Sequence, residues 1–171
     1  MAKIRQTLLV IDVQRGMFEK PIPIYHADEL LDPVTSLVSN AHRAGVTVIY
    51  VQHASKAGLV EGSTAWQLHR RLKPLKNAVV IHKTHPSAFE GTELGEVLLA
   101  RGVKRLILTG LVTHGCVRDS CLDALHRGYE VVLVGDAHSN YHRQAASMVR
   151  EWNARLAKAG ARNVNTAAVR F

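Results

Sequence analysis

The sequence predicts an α/β fold: a three-layer α/β/α sandwich with a central, mostly parallel sheet of five or six strands. Apolar runs of strand length recur without alternation, which marks strands buried on both faces. Segments of helical period stand between them, which calls for parallel pairing with right-handed crossovers. Composition agrees: 47% of residues are hydrophobic but only 5% aromatic, so the core is mainly Val, Leu, Ile and Ala. At 171 residues the chain has the length of one ordinary domain, read as residues 1–171.

The elements follow in order. "TLLVID" (7–12) is a branched apolar run that stops at Asp12. "ADELLDPVTSLVSNAHRAG" (27–45) places Leu37, Val38 and Ala41 on one helical face and closes on Arg43 and Gly45, with Gly45 as C′ residue. Pro33 is expected in the first turn of this helix, where a missing N–H is harmless. "VTVIYVQ" (46–52) is the second strand. The stretch 53–77, with Gly58, Gly62, Ser63 and Pro74, reads as a loop holding a short helix at "AWQLHRRL" (65–72); so long a connection is usually functional. "AVVIHK" (78–83) is the third strand, and "TELGEVLLARG" (92–102) is a short helix with Thr92 as N-cap and Gly102 beyond its end. "VKRLILTG" (103–110) is the fourth strand, and a helix with Cys116 near its first turn follows. "YEVVLVGDAHS" (129–139) is a fifth strand ending near Asp136, "QAASMVREWNARLAKAG" (144–160) a helix, and "ARNVNTAAVRF" (161–171) the last strand.

A formal charge of +8 raises the question of nucleic acid. The densest basic group, "HRRLKPLK" (69–76), has no aromatic residues interleaved, so no nucleic-acid partner is expected; a solvated basic surface favouring anionic substrates is the simpler reading. No apolar run is long enough to suggest a membrane partner, and "MAKIRQTLLVID" is too brief and carries an Asp, so no signal peptide is expected. Two cysteines without such a signal fit a reducing, cytoplasmic setting with free thiols.

In a parallel sheet the C-terminal strand ends share one edge, where open α/β folds bind ligands. Asp12, Lys83 and the "GLVTHGC" turn (110–116) all fall there. Cys116 has four readings: a buried small hydrophobe, half of a disulfide with Cys121, a metal ligand or a nucleophile. As a nucleophile, its pKa would fall beside a cation such as Lys83 or at a helix N-terminus. Asp12 could take the thiol proton and return it to a leaving amine, while backbone N–H groups of the turn receive an oxyanion. Each residue also has a plain reading: a turn Asp, a solvated Lys, a packed Cys.

Larger patterns narrow the choice. "LLVIDVQRGMFE", "VQHAS" and "IHKTHPSAFEGTELGEVLLARGVKRLILTGLVTHGCVRDSCLDALHRGYEVVLVGDAHSN" resemble the isochorismatase-like cysteine hydrolases, a superfamily with nicotinamidases and N-carbamoylsarcosine amidase. The resemblance runs from about Thr7 to the C-terminus and rests on D-x-Q, K-x-x-x-S-A-F-x-G-T-x-L and G-x-x-T-x-x-C-V taken together. It implies a Rossmann-like sheet and a triad of Cys116 as nucleophile, Asp12 as proton acceptor and donor, and Lys83 as charge stabiliser. It further implies a non-proline cis peptide at Leu111–Val112, an oxyanion hole from the N–H groups of Val112 and Cys116, and cleavage of C–N bonds in small amides, ureides or imides. Nicotinamidases carry Asp-x-His after the second strand where this chain has Gln52 and His53, so neither a metal, nor a cofactor, nor nicotinamide is expected. Isochorismatases proper lack the cysteine, which leaves hydrolysis of a chorismate-derived acid as the alternative enzyme reading and a silent basic binding protein as the other. Ser120 stands where the family has Thr and keeps the hydroxyl.

The remaining candidates concern the pocket. Strand alternation sends His82 away from an inward Lys83, and five residues of helix turn Cys121 from the face of Cys116. Phe18, His53, Trp66 and His114 are candidate substrate-binding residues, each with a core, capping or surface alternative. The resemblance also implies a homo-oligomer, a dimer or larger, with "SMVREWNARL" (147–156) as packing or interface.

Overall fold

The computed structural model describes residues 4–19 and 24–171; residues 1–3, on which part of the leader reading rests, lie outside it. Six strands form one all-parallel sheet: β1 (Gln6–Ile11), β2 (Thr47–His53), β3 (Val79–Lys83), β4 (Arg105–Leu111), β5 (Glu130–Ser139) and β6 (Arg162–Val164). Their order is β3-β2-β1-β4-β5-β6. The chain winds outward from β1 in one direction and then restarts at β4 on its other side. The switch between β1 and β4 opens a crevice at their C-terminal ends.

Both sheet faces are covered, which is why the strand sequences do not alternate. Leu8, Val10, Val48 and Tyr50 pack with Leu30, Val34, Leu37 and Ala41 of α2 (Ala27–Arg43). Leu9, Ile11, Ile49, Val51 and Leu108 face the opposite layer. That layer is α3 (Leu94–Ala100), α4 (Arg118–His126) and α5 (Ala145–Ala159), represented by Leu98, Cys121 and Leu156. A short helix not anticipated from sequence, α1 (Arg15–Phe18), follows β1. Among the described residues no helix is long and apolar enough to cross a membrane.

Several local expectations need correction. Helix α2 already begins at Ala27, so Pro33 lies inside it rather than in its first turn; the hydrogen bond it forfeits is to the carbonyl of Glu29, an exposed residue. Residues 65–72 form no helix. Their backbone groups are spent on the segment after β1, through Arg15 N to Gln67 O (2.9 Å), Gly16 N to Ala65 O (2.8 Å) and His69 N to Val13 O (2.9 Å). The cap of α3 is displaced by one: Glu93 occupies the N-cap position while the Thr92 hydroxyl accepts the Leu94 N–H at 3.2 Å. Strand β5 runs on past Asp136 to Ser139, because a register shift between Leu108 and Gly110 keeps it paired with β4. Strand β6 stops at Val164 because the Asp136 carboxylate accepts both the N–H and the hydroxyl of Thr166 at 2.8 Å, turning the chain into a 3-10 helix, Thr166–Ala168.

The crevice depends on one close approach. Gly110 has φ +122°, and a Cβ there would collide with the backbone of Ile11. Only glycine lets β4 lie this near the end of β1.

Candidate active site

Three elements deliver three side chains to the crevice. Asp12 follows β1 in a left-handed conformation (φ 52°) and is fixed by its N–H bond to Val51 O at 2.9 Å. Lys83 is the last residue of β3 and is 2% exposed, while its neighbour His82 faces solvent. Cys116 is half-buried in a five-residue turn of π-helical type, Thr113–Val117, which precedes α4. The cysteine therefore sits just ahead of the helix, since Gly115 (φ −129°, ψ −109°) breaks the helical path. The Leu111–Val112 peptide bond is cis, and the Val112 carbonyl accepts the N–H groups of Gly115 (3.1 Å) and Val117 (3.2 Å).

The Lys83 ammonium is the hub. It donates to Asp12 Oδ2 at 2.9 Å, Cys116 Sγ at 3.2 Å and His85 O at 3.2 Å, and lies 3.1 Å from His53 Nδ1. An ammonium only donates, so when one of its three hydrogens serves His53 the ring accepts at Nδ1. The second Asp12 oxygen, Oδ1, is buried without a hydrogen-bond partner, and the Cys116 sulfur lies within 4.8 Å of the carboxylate. The cluster holds one base, one proton source and one fixed cation.

The charges correct one sequence expectation. Burial pushes the Cys116 thiol up to about 12, and the Asp12 carboxylate adds to that; the stabilising pull of Lys83 is outweighed. Burial also raises Asp12 above the usual carboxylate range, against the opposing pull of Lys83. Both shifts favour the protonated thiol over a preformed thiolate, and Asp12 is the carboxylate placed beside it.

The motif residues around the cluster have structural work to do. Gln14 of D-x-Q clasps the end of β2: its amide donates to His53 O (3.0 Å) and Trp66 O (2.8 Å) and accepts the His53 N–H (2.9 Å). The S-A-F stretch is tied to α4, with Ser120 Oγ accepting the Ala88 N–H at 2.9 Å and Ser87 Oγ donating to Asp123 at 2.7 Å.

A cavity of about 270 Å³ opens over the cluster, lined by Asp12, Met17, His53, Leu59, Val112 and Cys116, with Ser55, Ala57, Gly58 and Tyr141 completing it. Of the four candidate substrate-binding residues, only His53 lines it. Phe18 packs on His69 (ring centroids 4.6 Å apart), Trp66 on His82 (4.7 Å), and His114 lies 6.1 Å from Tyr141. Met17, Leu59 and Tyr141 were not singled out from sequence; the one signal for Tyr141 was an aromatic residue just beyond a buried strand. A larger hollow of about 450 Å³ lies at the opposite end of the strands, lined by Arg5, Thr7, Thr47 and Arg101, and among the described residues no Cys, His, Asp or Glu lines it.

Among the described residues, Asp12, His53 and Cys116 are grouped closely enough to hold a metal ion. The Lys83 ammonium, however, contacts all three at 2.9–3.2 Å, so the cation position is filled by the protein's own charge. A divalent ion would meet Lys83 at bonding distance, and these residues do not fit one.

Comparison with known proteins places these observations in context. Residues 6–168 match the model of the isochorismatase domain. A streptothricin hydrolase of Streptomyces noursei is 35% identical over 82% of this chain. The maleamate amidohydrolase of Pseudomonas putida is 28% identical over 81% of this chain and 76% of its own length. The chain spans 57% of the streptothricin hydrolase. Among solved structures, an isochorismatase from Pseudomonas putida superposes with a TM-score of 0.89 at 27% identity, over 97% of this chain and 90% of the other.

Proposed function

Because the chain belongs to the isochorismatase domain family, we propose that it is a cysteine hydrolase that cleaves a C–N bond (amide, ureide or imide) of a small molecule through Cys116, Asp12 and Lys83. The observation that carries this reading is the Lys83 ammonium shared by Asp12 (2.9 Å) and Cys116 (3.2 Å). A thiol held neutral by burial has no use for a paired cation and carboxylate unless it is to be ionised in a reaction. The two similar proteins named for amide or streptothricin hydrolysis support the same class.

The geometry supports the following sequence of steps. Asp12 takes the Cys116 proton as sulfur attacks the substrate carbonyl carbon, forming a C–S bond and placing negative charge on the carbonyl oxygen. The N–H groups of Val112 and Cys116 hold that oxyanion, each such donor contributing roughly 3 kcal/mol in acyl transfer. The C–N bond then breaks as protonated Asp12 returns its proton to the leaving nitrogen. A water molecule then attacks the thioester carbon as Asp12 takes its proton; the C–S bond breaks, the acid leaves, and Asp12 returns the proton to sulfur to regenerate the thiol. Throughout, Lys83 balances whichever of the two groups is negative. The 270 Å³ cavity with apolar walls of Met17, Leu59 and Val112 suits a compact substrate, and the enzyme works as a homo-oligomer without a metal or cofactor.

Screening amides, ureides and chorismate derivatives for product release, with Cys116→Ala as control, tests this. Turnover of a C–N substrate with an acyl adduct on Cys116 by intact mass is expected. Turnover retained by the alanine variant, or confined to a chorismate derivative, would overturn it.

A further inference from the structure

We propose that His138 is a positioning residue that holds the nucleophile-bearing turn through Thr113. His138 is 3% exposed on β5 and Thr113 is fully buried. The imidazole is bonded at both nitrogens, with Nδ1 2.9 Å from Thr113 Oγ1 and Nε2 2.8 Å from Asn153 Oδ1. The protons in this chain are determined from its far end. Asn153 donates its amide hydrogens to Gly135 O at 3.0 Å, so its oxygen must accept, His138 must carry hydrogen on Nε2, and Nδ1 must accept from the Thr113 hydroxyl. Gly135 leaves room for the Asn153 amide: a Cβ at that position would stand 2.3 Å from Asn163 Oδ1 and 2.9 Å from the Asn153 amide nitrogen.

The result is a one-way chain from the Thr113 hydroxyl through His138 and Asn153 to the β5 backbone, with every buried polar atom in it satisfied. Burial holds His138 below the ordinary histidine range, so the acceptor nitrogen stays unprotonated. Packing alone has no need for an imidazole there; an aliphatic residue would fill the space without the cost of burying polar atoms. What the imidazole adds is a directional tie between the sheet and the first residue of Thr113–Val117. That turn supplies both the sulfur and the Cys116 N–H, and small displacements of such groups are expensive.

This role rests on Cys116 being the nucleophile of an acyl transfer, and two probes separate the two claims. Acetylation of Cys116 by p-nitrophenyl acetate needs an oxyanion site; alkylation of the same thiol by iodoacetamide does not. Thr113→Val keeps the volume and removes the hydroxyl. Its acetylation rate is expected to fall roughly tenfold or more while alkylation stays within about twofold of wild type, and Thr113→Ser is expected to restore acetylation. Adding His138→Leu to Thr113→Val is expected to slow acetylation no further, since both remove one tie. Equal acetylation-to-alkylation ratios in wild type and Thr113→Val, even with lowered thermal stability, would overturn the positioning role alone. A wild-type protein that takes no acetyl group on Cys116 would overturn the acyl-transfer reading and this role with it.

Discussion

Cys116 and Cys121 stand five residues apart, and burial raises both thiols to about 12. Their surroundings differ in kind. Cys121 is fully buried in the apolar layer with Leu98, Leu108 and Leu156, and burial is the single cause of its shift. Cys116 borders the cavity, and a carboxylate and an ammonium pull its titration in opposite directions. Burial by itself makes a thiol inert; a base within reach of the proton makes it a candidate nucleophile. The distinction lies in three residues from distant parts of the chain.

The largest test of that contrast is removal of each sulfur. Cys116→Ala is expected to lower turnover by at least about a thousandfold, whereas Cys121→Ala leaves turnover near wild type, both measured on whichever substrate the screen identifies. Equal losses would erase the distinction. Asp12→Asn separates base from charge: turnover should fall by roughly a hundredfold or more. Alkylation of Cys116 by iodoacetamide at fixed mildly alkaline pH should become faster, because the carboxylate that raises the thiol pKa is gone while Lys83 remains. Parallel slowing of both would show that Asp12 only maintains the fold.

Lys83→Met addresses stability. It leaves a buried carboxylate without its cation, and removing one partner of a buried pair typically costs about 3–5 kcal/mol, readable as a lower urea midpoint. The smallest effect is in the pH dependence of folding. Both thiols ionise near 9.0 when unfolded and near 12 when folded, so the folded state holds more protons in that window. The stability they contribute is complete below pH 9.0 and is lost as pH rises toward about 12. A protein with both cysteines replaced by alanine should show a shallower alkaline decline; an unchanged slope would contradict the assigned environments.

Much of this was readable from sequence because it is local. Strands buried on both faces leave unbroken apolar runs, and Gly45 (φ +66°), Gly102 (φ +62°) and Gly160 (φ +118°) punctuate helix ends as their positions implied. Asp12 and Lys83 could be aligned on one edge from strand direction alone. What escaped was set by tertiary partners. Residues 65–72 have a helical pattern but give their backbone bonds to residues 13–16. His53 was visible as a pocket candidate, but its contact with Lys83 required the β2–β3 register, which pairs the two residues directly. Phe18 and Trp66 looked like pocket walls by residue type and instead stack on His69 and His82. The thiol's raised titration depended on burial, which no spacing of charged residues reveals.

The count of atoms around Lys83 carries one more consequence. Its ammonium has three hydrogens and four neighbours within 3.2 Å: Asp12 Oδ2, His53 Nδ1, His85 O and Cys116 Sγ. One neighbour is always unserved, and a turn of the headgroup about its Cε–Nζ bond changes which one. In the proposed reaction, where Asp12 alternates between carboxylate and acid, the three N–H donors can be shared anew among these acceptors by rotation on a fixed pivot. A lysine so placed can serve as a rotor in that reaction, with no heavy atom leaving its place as the hydrogen bonds of the cluster change partners.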